Sequence, residues 1–239
     1  MRKKMITKAE FESSATGQEI YRVEGVRDFK ALEEELAACP YHVIVKVDSA
    51  ETDAIRFLAS QGFCYNSTIL HLKRDLQDVI CAENKKIQKL SLAHQDQLFK
   101  ICDEAFCHNQ NRYTDDPLLR NFCAQIHRAW ILNSLNGFAD YNIGYFEQES
   151  LAGFGTLHFK EECAIIGLIA TEQSYRGKGI GTHVVQGLIA YAIQNQKKIL
   201  IVKTQATNVF ALNLYGRNGF FLFGSEVTLY RERRNVLAP

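Results

Sequence analysis

Two clusters late in this 239-residue chain carry most of its chemistry. The first runs from Gln173 to Thr182, where Gly177, Gly179 and Gly181 alternate with Arg176, Lys178 and Ile180. Glycine removes the Cβ wherever a bulky group must approach the backbone. A glycine-rich turn that opens a helix offers N–H donors to a phosphate, and the helix dipole favours the phosphate charge. Arg176 and Lys178 add positive charge beside the same turn. The second cluster contains Gln205, Asn208 and Tyr215, with Asn208 and Tyr215 seven residues apart and therefore near one helical face. This pairing points to an enzyme that holds a diphosphate-bearing cofactor and moves a group from it. The turn is not a P-loop, because Lys178 precedes Gly179 rather than Ser or Thr. It is also a poor dinucleotide fingerprint, since its glycines alternate and its strand falls late in a meander.

The surrounding pattern supplies elements to position these residues. Residues 164–170 are apolar and strand-like, and the periodic stretch Ile180–Gln194 is the helix that the glycine turn opens. A strand over 198–204 and a helix over 208–217 frame the second cluster. Three segments, Tyr141–Glu147, 150–160 and 163–170, form an antiparallel meander. Upstream, helical spacing marks 91–106 and a long amphipathic helix over 117–133. Final strands fall near 220–222 and 226–231. The first 80 or so residues read as α/β, with helices over 26–38 and 51–60 and strands over 41–47 and 64–72. The resulting division is an N-terminal α/β portion, 1–80, and a second domain over 88–239, joined by a charged connection over 73–88.

Composition narrows the class further. Hydrophobic residues make up 46% of the chain, enough for a core, and 28 Lys and Arg face 27 Asp and Glu. That balance argues against a general nucleic-acid binder. The basic start turns polar at Ala9 without an apolar signal-peptide core, and no stretch reaches bilayer-spanning length, so no membrane partner is expected. Seven cysteines, Cys81 among them, lack paired Cys-x-x-Cys spacing. Neither a disulfide framework nor a metal site is expected, and the expected location is the cytoplasm.

Gln173-x-x-Arg176-Gly-Lys-Gly-Ile-Gly181 resembles the acetyl-coenzyme-A signature of the GNAT superfamily of N-acetyltransferases. Asn208-x-x-Ala211-x-x-x-Tyr215-x-x-x-Gly219-Phe220 resembles their next conserved block. The resemblance implies an α/β (mixed α+β) fold with a mostly antiparallel central sheet, splayed fourth and fifth core strands and, here, an additional N-terminal α/β portion. It implies acetyl-CoA as acyl donor and a small-molecule amine as acceptor. Carried over residue by residue, Leu168 and Ala170 meet the pantetheine and acetyl carbonyl through backbone groups. Arg176, Gly177, Lys178, Gly179, Ile180 and Gly181 meet the pyrophosphate, with Gln173 and Thr182 close by, and Asn208 bonds the amide-bearing arm.

Transfer to an amine requires loss of the amine proton, a donor for the developing oxyanion and a proton for the departing thiolate. The resemblance makes Tyr215 the general acid; apart from it, Tyr215 reads as a partly buried aromatic. No base declares itself. His158 on the meander is a candidate because neutral imidazole is available near pH 7, with Glu161 and Glu162 as alternatives at the following turn. The chain also resembles superfamily members that acetylate dTDP-linked 4-amino-4,6-dideoxyhexoses, through residues 51–63, Arg112, Tyr113, Trp130, Gln205 and Asn208. Those relatives place a glutamate where this chain has Asn66 and Ser67. An amino-sugar acceptor would meet Arg112, Tyr113, His127 and Gln205. A protein N-terminus, lysine, polyamine or other small amine is the rival acceptor, and a non-catalytic acetyl-CoA sensor is the rival function. A homodimer is expected from the resemblance.

Overall fold

A computed structural model describes residues 4–77, 79, 84–108 and 111–232. Cys81 and part of the charged 73–88 connection lie outside these residues. In chain order the elements are β1 (Ile6–Lys8), α1 (Glu10–Thr16), β2 (Ile20–Val23), α2 (Phe29–Ala38), β3 (His42–Asp48), α3 (Thr52–Ser60) and β4 (Cys64–Asp75). Then come β5 (Ile87–Lys89), α4 (Gln95–Phe106), α5 (Cys123–Asn133), β6 (Tyr141–Glu147), β7 (Ser150–Phe159) and β8 (Cys163–Thr171). The chain closes with α6 (Ile180–Gln194), β9 (Ile199–Gln205), α7 (Val209–Arg217) and β10 (Phe221–Arg231).

The chain divides into two units. The first gathers Met1–Ile69, Asn111–Ile126 and Ser225–Pro239. Within it β1 pairs antiparallel with β2, β2 lies parallel to β3, and the latter part of β10 runs antiparallel to β3 from Glu226↔Asp48 to Arg231↔Val43. The apolar residues of α2 and α3 close over this layer, with Leu32, Leu36, Val43 and Leu58 fully buried. Each such leucine contributes about 2 kcal/mol by leaving water. His42 bonds Asp116 through Nε2 at 2.8 Å, and Asp116 also accepts the N–H groups of Leu118 and Leu119. A buried carboxylate is thus fully partnered, and it fixes the 111–119 segment.

The second unit is Leu70–Gln110 with His127–Gly224. Its strands β5 to β8 form an antiparallel run, and β9 joins β8 in parallel. The α6 face is covered by Val184, Val185 and Leu188 packed on Ile143, Leu157, Ala164 and Ile166, together with Tyr215 of α7. The opposite face carries α4 and the end of α5, where Leu98, Ile101 and Ile131 meet Leu151, Phe154, Leu168 and Ala170. Glycines let α6 lie close. A Cβ on Gly155 would fall 2.7 Å from a Leu188 methyl and 3.1 Å from one of Val184.

Several boundaries differ from the sequence expectation. The expected helix over 117–133 begins as a short 3-10 turn, Leu119–Phe122, and becomes α-helical only at Cys123. It ends in a π turn, Ser134–Phe138, where Gly137 adopts φ 100°. The two expected C-terminal strands are one, since Gly224 continues the extended chain. Three short elements, β1, α1 and β2, precede the first expected helix.

Candidate active site

Strands β8 and β9 pair only from Cys163↔Ile199 to Ile166↔Val202. Beyond that register β8 continues to Thr171 and β9 to Gln205, so the two strands part, as the expected splay of the fourth and fifth core strands requires. The cause lies in β8. Across β7 and β8, Gly155 faces Ile169 while Leu157 faces Ile166, so Gly167 and Leu168 together oppose the single residue Thr156. One extra residue is a β-bulge, which bends its strand and ends regular pairing.

The glycine turn follows directly. Gly177 and Gly179 have φ of 76° and 79°, a left-handed backbone that side chains resist. Among the described residues, no atom beyond the chain neighbours lies within 4 Å of a Cβ built on either glycine, so the space before them is open. The N–H groups from Gly177 to Thr182 meet no acceptor among the described residues, and His183 makes the first backbone bond, to Gly179. A row of donors at the start of a 15-residue helix suits a diphosphate. Arg176 and Lys178 are exposed beside it; Arg176 Nε also bonds the Thr171 carbonyl at 3.3 Å, and Lys178 lies over the Tyr175 ring. Gln173 is exposed at the entry to the turn, and its carbonyl receives the Arg176 N–H. Beyond their backbone N–H groups, Ile180 and Gly181 serve packing. Ile180 is buried in the α6 core, and a Cβ on Gly181 would come 3.2 Å from Leu214 of α7. Thr182 is half-buried. Replacing Gly179 with valine should therefore raise the dissociation constant for acetyl-coenzyme A at least tenfold and leave saturated turnover within about threefold, measured by titration calorimetry and initial rates.

Asn208 caps α7, its Oδ1 accepting the Ala211 N–H at 3.1 Å, which leaves its exposed amide NH2 for a ligand. Tyr215 lies nearly two turns further on and is 2% exposed. Burial raises its phenol above the ordinary value of 10, so it keeps its proton across the working pH range. Its hydroxyl makes no hydrogen bond among the described residues, and its ring packs on Phe220. Gln205 ends β9 beyond the last paired residue, half-buried, and its carbonyl holds the Asn208 N–H.

On the other face stands His158. It alternates with Leu157, which packs under α6, and so points to the α4 side. Its Nδ1 donates to the Phe138 carbonyl at 3.0 Å, which leaves the Nε2 lone pair free to accept. Half-burial lowers its pKa below 6.5, outweighing the Phe138 bond and nearby Asp140, so the ring is neutral near pH 7. Nε2 is turned over Gly167: a Cβ there would be 2.6 Å from it and 2.7 Å from Thr156 Oγ1. Leu168 N–H donates to Thr156 Oγ1 at 2.9 Å, so this expected oxyanion donor is already engaged. Glu162 pairs with Lys198 on the surface, away from this cluster.

The expected acceptor residues belong to different units and are described unit by unit. His127 is 4% exposed and stacked on Phe106, with ring centroids 4.6 Å apart, as a core histidine. Arg112 and Tyr113 belong to the first unit. The Arg112 guanidinium bonds the Tyr113 hydroxyl and covers its ring at 4.5 Å, and Tyr113 reaches Glu12 at 3.5 Å. Burial works against the Arg112 charge, but Tyr113 and Glu12 outweigh it and hold the guanidinium above its ordinary value. Asn66 donates to the Arg112 carbonyl, and Ser67 bonds Thr228. Thr156 and Gly167 are not among the residues that the sequence singles out. A signal for Gly167 exists, since a lone glycine inside an apolar strand marks a bulge or a close approach.

Comparison with known proteins identifies the family and the fold. The sequence profile of the Acetyltransferase (GNAT) family matches residues 98–220, just over half of the chain. The chain is similar to the spore coat polysaccharide biosynthesis protein SpsD of Bacillus subtilis (strain 168), 31% identical over 112 residues, which is 46% of this chain and 39% of that protein. It is also similar to streptothricin acetyltransferase A of the same organism, 28% identical over 104 residues, covering 38% and 60% of the two chains. It thus spans less than two thirds of either relative's length. Among solved structures, a functionally unknown conserved protein from Staphylococcus epidermidis superposes with a TM-score of 0.67 at 11% identity, over 93% of this chain and 88% of the other. A putative GNAT-family acetyltransferase from Novosphingobium aromaticivorans gives 0.61 at 13% identity, over 97% and 90%. The mixed α/β fold is that of these structures, and the chain belongs to the acetyltransferase (GNAT) family.

Proposed function

We propose that this protein transfers the acetyl group of acetyl-CoA to the primary amine of a small acceptor, directly and between opposite faces of the sheet. The observation that carries this reading is the parting of β8 and β9 with Tyr215 on the α6 face and His158 on the other. In this reading the pyrophosphate of the donor rests on the N–H groups from Gly177 to Thr182, and the Asn208 amide holds its arm. The acyl group lies in the gap, with the sulfur toward Tyr215 and the carbonyl carbon open to the α4 side. His158 Nε2 takes the proton shed by the acceptor nitrogen as the C–N bond forms. As the C–S bond breaks, the Tyr215 hydroxyl donates to the sulfur.

The finer assignment is an amino group on a nucleotide-linked sugar, of the dTDP-4-amino-4,6-dideoxyhexose type. Its support is the sequence resemblance to dTDP-fucosamine acetyltransferase and the similarity to a polysaccharide biosynthesis protein. Gln205, at the free end of β9, is the acceptor contact proposed within the second unit. His158 takes the place of the glutamate that those enzymes carry at the position of Asn66 and Ser67. The deciding experiment screens acetyl transfer to dTDP-linked 4-amino sugars, free amino sugars, polyamines and peptides. A preference for peptides or polyamines would discard the sugar assignment, and binding of acetyl-CoA without turnover on any amine would discard transfer.

A base with a depressed pKa fixes the sign of the pH dependence. As pH falls, protonation of Nε2 removes the acceptor of the amine proton. The acid limb of kcat/KM should therefore lie below 6.5, the ordinary imidazole value. Replacing His158 with glutamine should lower kcat about 100-fold and abolish that limb, read from a pH series at saturating donor.

A further inference from the structure

Thr156 is a polar residue, 1% exposed, in the middle of a strand whose neighbours Phe154 and Leu157 are wholly buried. Its hydroxyl receives the Leu168 N–H at 2.9 Å, at the bulge that separates β8 from β9. Along a strand the backbone N–H groups point alternately to the two sides. Glu172 donates to the Ala152 carbonyl across β7, at 3.0 Å, which sets the phase near the end of β8. Counting back two residues, Ala170 also directs its N–H toward β7, opposite Phe154. Before the bulge the phase is the reverse. Cys163 accepts from Lys160 in the hairpin, which puts the N–H of Ile165 toward β7 and that of Ile166 toward β9. An uninterrupted strand would therefore aim Leu168 and Ala170 at β9. With the extra residue, Leu168 turns back to Thr156 and the N–H groups directed at the gap become those of Ile169 and Thr171.

We infer that Thr156 is a positioning residue for acyl transfer: by capturing the Leu168 N–H it holds the bulge in phase and aims the Ile169 N–H at the acyl carbonyl. This rests on the transferase reading given above. A backbone donor fixed before the reaction stabilises a developing oxyanion without reorganisation. No covalent step involves Thr156 itself. Its methyl occupies the same face as Phe154, and only its oxygen can receive the N–H, so valine, of the same shape, removes the bond and leaves the volume.

Two measurements test this. In the wild-type protein, with isoleucine and leucine amides labelled with nitrogen-15, adding acetyl-CoA should shift the Ile169 amide proton downfield relative to added coenzyme A, and Leu168 should stay in place. A shift at Leu168 instead, or at neither, overturns the inference. For bound acetyl-CoA, the thioester carbonyl stretch should fall below its solution frequency in the wild type, return to it in Thr156→Val, and fall again in Thr156→Ser. In parallel kcat should drop about 30-fold in the valine variant, with KM for acetyl-CoA within about threefold, and recover in serine. An unchanged stretch and kcat in Thr156→Val would falsify the role. Should the valine variant not fold, the amide shifts of the wild type and the stretch in Thr156→Ser still decide. If the wild type fails to bind acetyl-CoA, the transferase reading falls first, and that result is distinct from binding with the wrong amide engaged.

Discussion

Replacing Tyr215 with phenylalanine should lower kcat about 100-fold while the affinity for acetyl-CoA stays within about twofold. The ring is 2% exposed and packed against Phe220 in the α6 core, and phenylalanine keeps that packing. What disappears is one O–H, which makes no hydrogen bond among the described residues and is therefore available to a ligand. A phenol raised above 10 by burial stays protonated, while a free thiol has a pKa of about 8.5. Full transfer to the sulfur is then uphill at the outset. In the proposed mechanism the hydroxyl would act first as a hydrogen-bond donor that stabilises developing charge, and such a donor acts on kcat rather than on binding. For the same reason the pH profile should show no loss of activity from Tyr215 on the alkaline side below pH 10. Equal losses in turnover and affinity would remove Tyr215 from the chemistry.

Alanine at Gly167 is the second change with a large expected effect, about 100-fold in kcat from the addition of one methyl group. That methyl would fall 2.6 Å from His158 Nε2, 3.0 Å from its Cδ2 and 2.7 Å from Thr156 Oγ1. Neither neighbour can step aside freely. The imidazole is held through Nδ1 by the Phe138 carbonyl, and the threonine oxygen holds Leu168. Overpacking of this kind costs about 1–3 kcal/mol of stability. Turnover should therefore be compared well below the melting transition, alongside calorimetric binding of acetyl-CoA, which should persist because the glycine turn is untouched. Wild-type turnover in Gly167→Ala would mean that the Nε2 of His158 takes no part.

Much of the second unit is legible in the amino-acid sequence. The meander over β6 to β8 and the helix α6 follow from apolar periods of 2 and 3.6, and the splay of β8 from β9 is what the resemblance of the two glycine-bearing motifs to the GNAT family implies. The bulge is less visible, because its phase depends on which oxygen takes the Leu168 N–H. Short elements escape notice for a related reason. The three residues of β5 pair with β6 through backbone groups, which need no apolar pattern in the charged stretch around Lys85, Lys86 and Lys89. The surroundings of the expected acceptor residues are harder to read from the sequence. Arg112 and His127 look solvent-seeking by residue type, yet Tyr113, which holds Arg112, and Phe106, which covers His127, are themselves set by contacts that spacing cannot reveal. Tyr113 meets Glu12 across 101 positions of sequence, and His127 is covered by Phe106. The glycines of the turn stand where their spacing puts them, but for a different reason. Gly177 and Gly179 are required by positive φ rather than by crowding from the protein itself.

The separation of β8 from β9 also sets a limit on cargo. If the proposed mechanism holds, the two reactants would use different doorways and never queue for the same one: the thiol would withdraw past α6 and the finished amide would leave beside α4. Only the acyl group crosses, and the opening is no longer than the unpaired ends, from Gly167 to Thr171 on one side and from Lys203 to Gln205 on the other. On the proposed reading, such an opening would admit the acyl group while the rest of each reactant stays on its own side of the sheet.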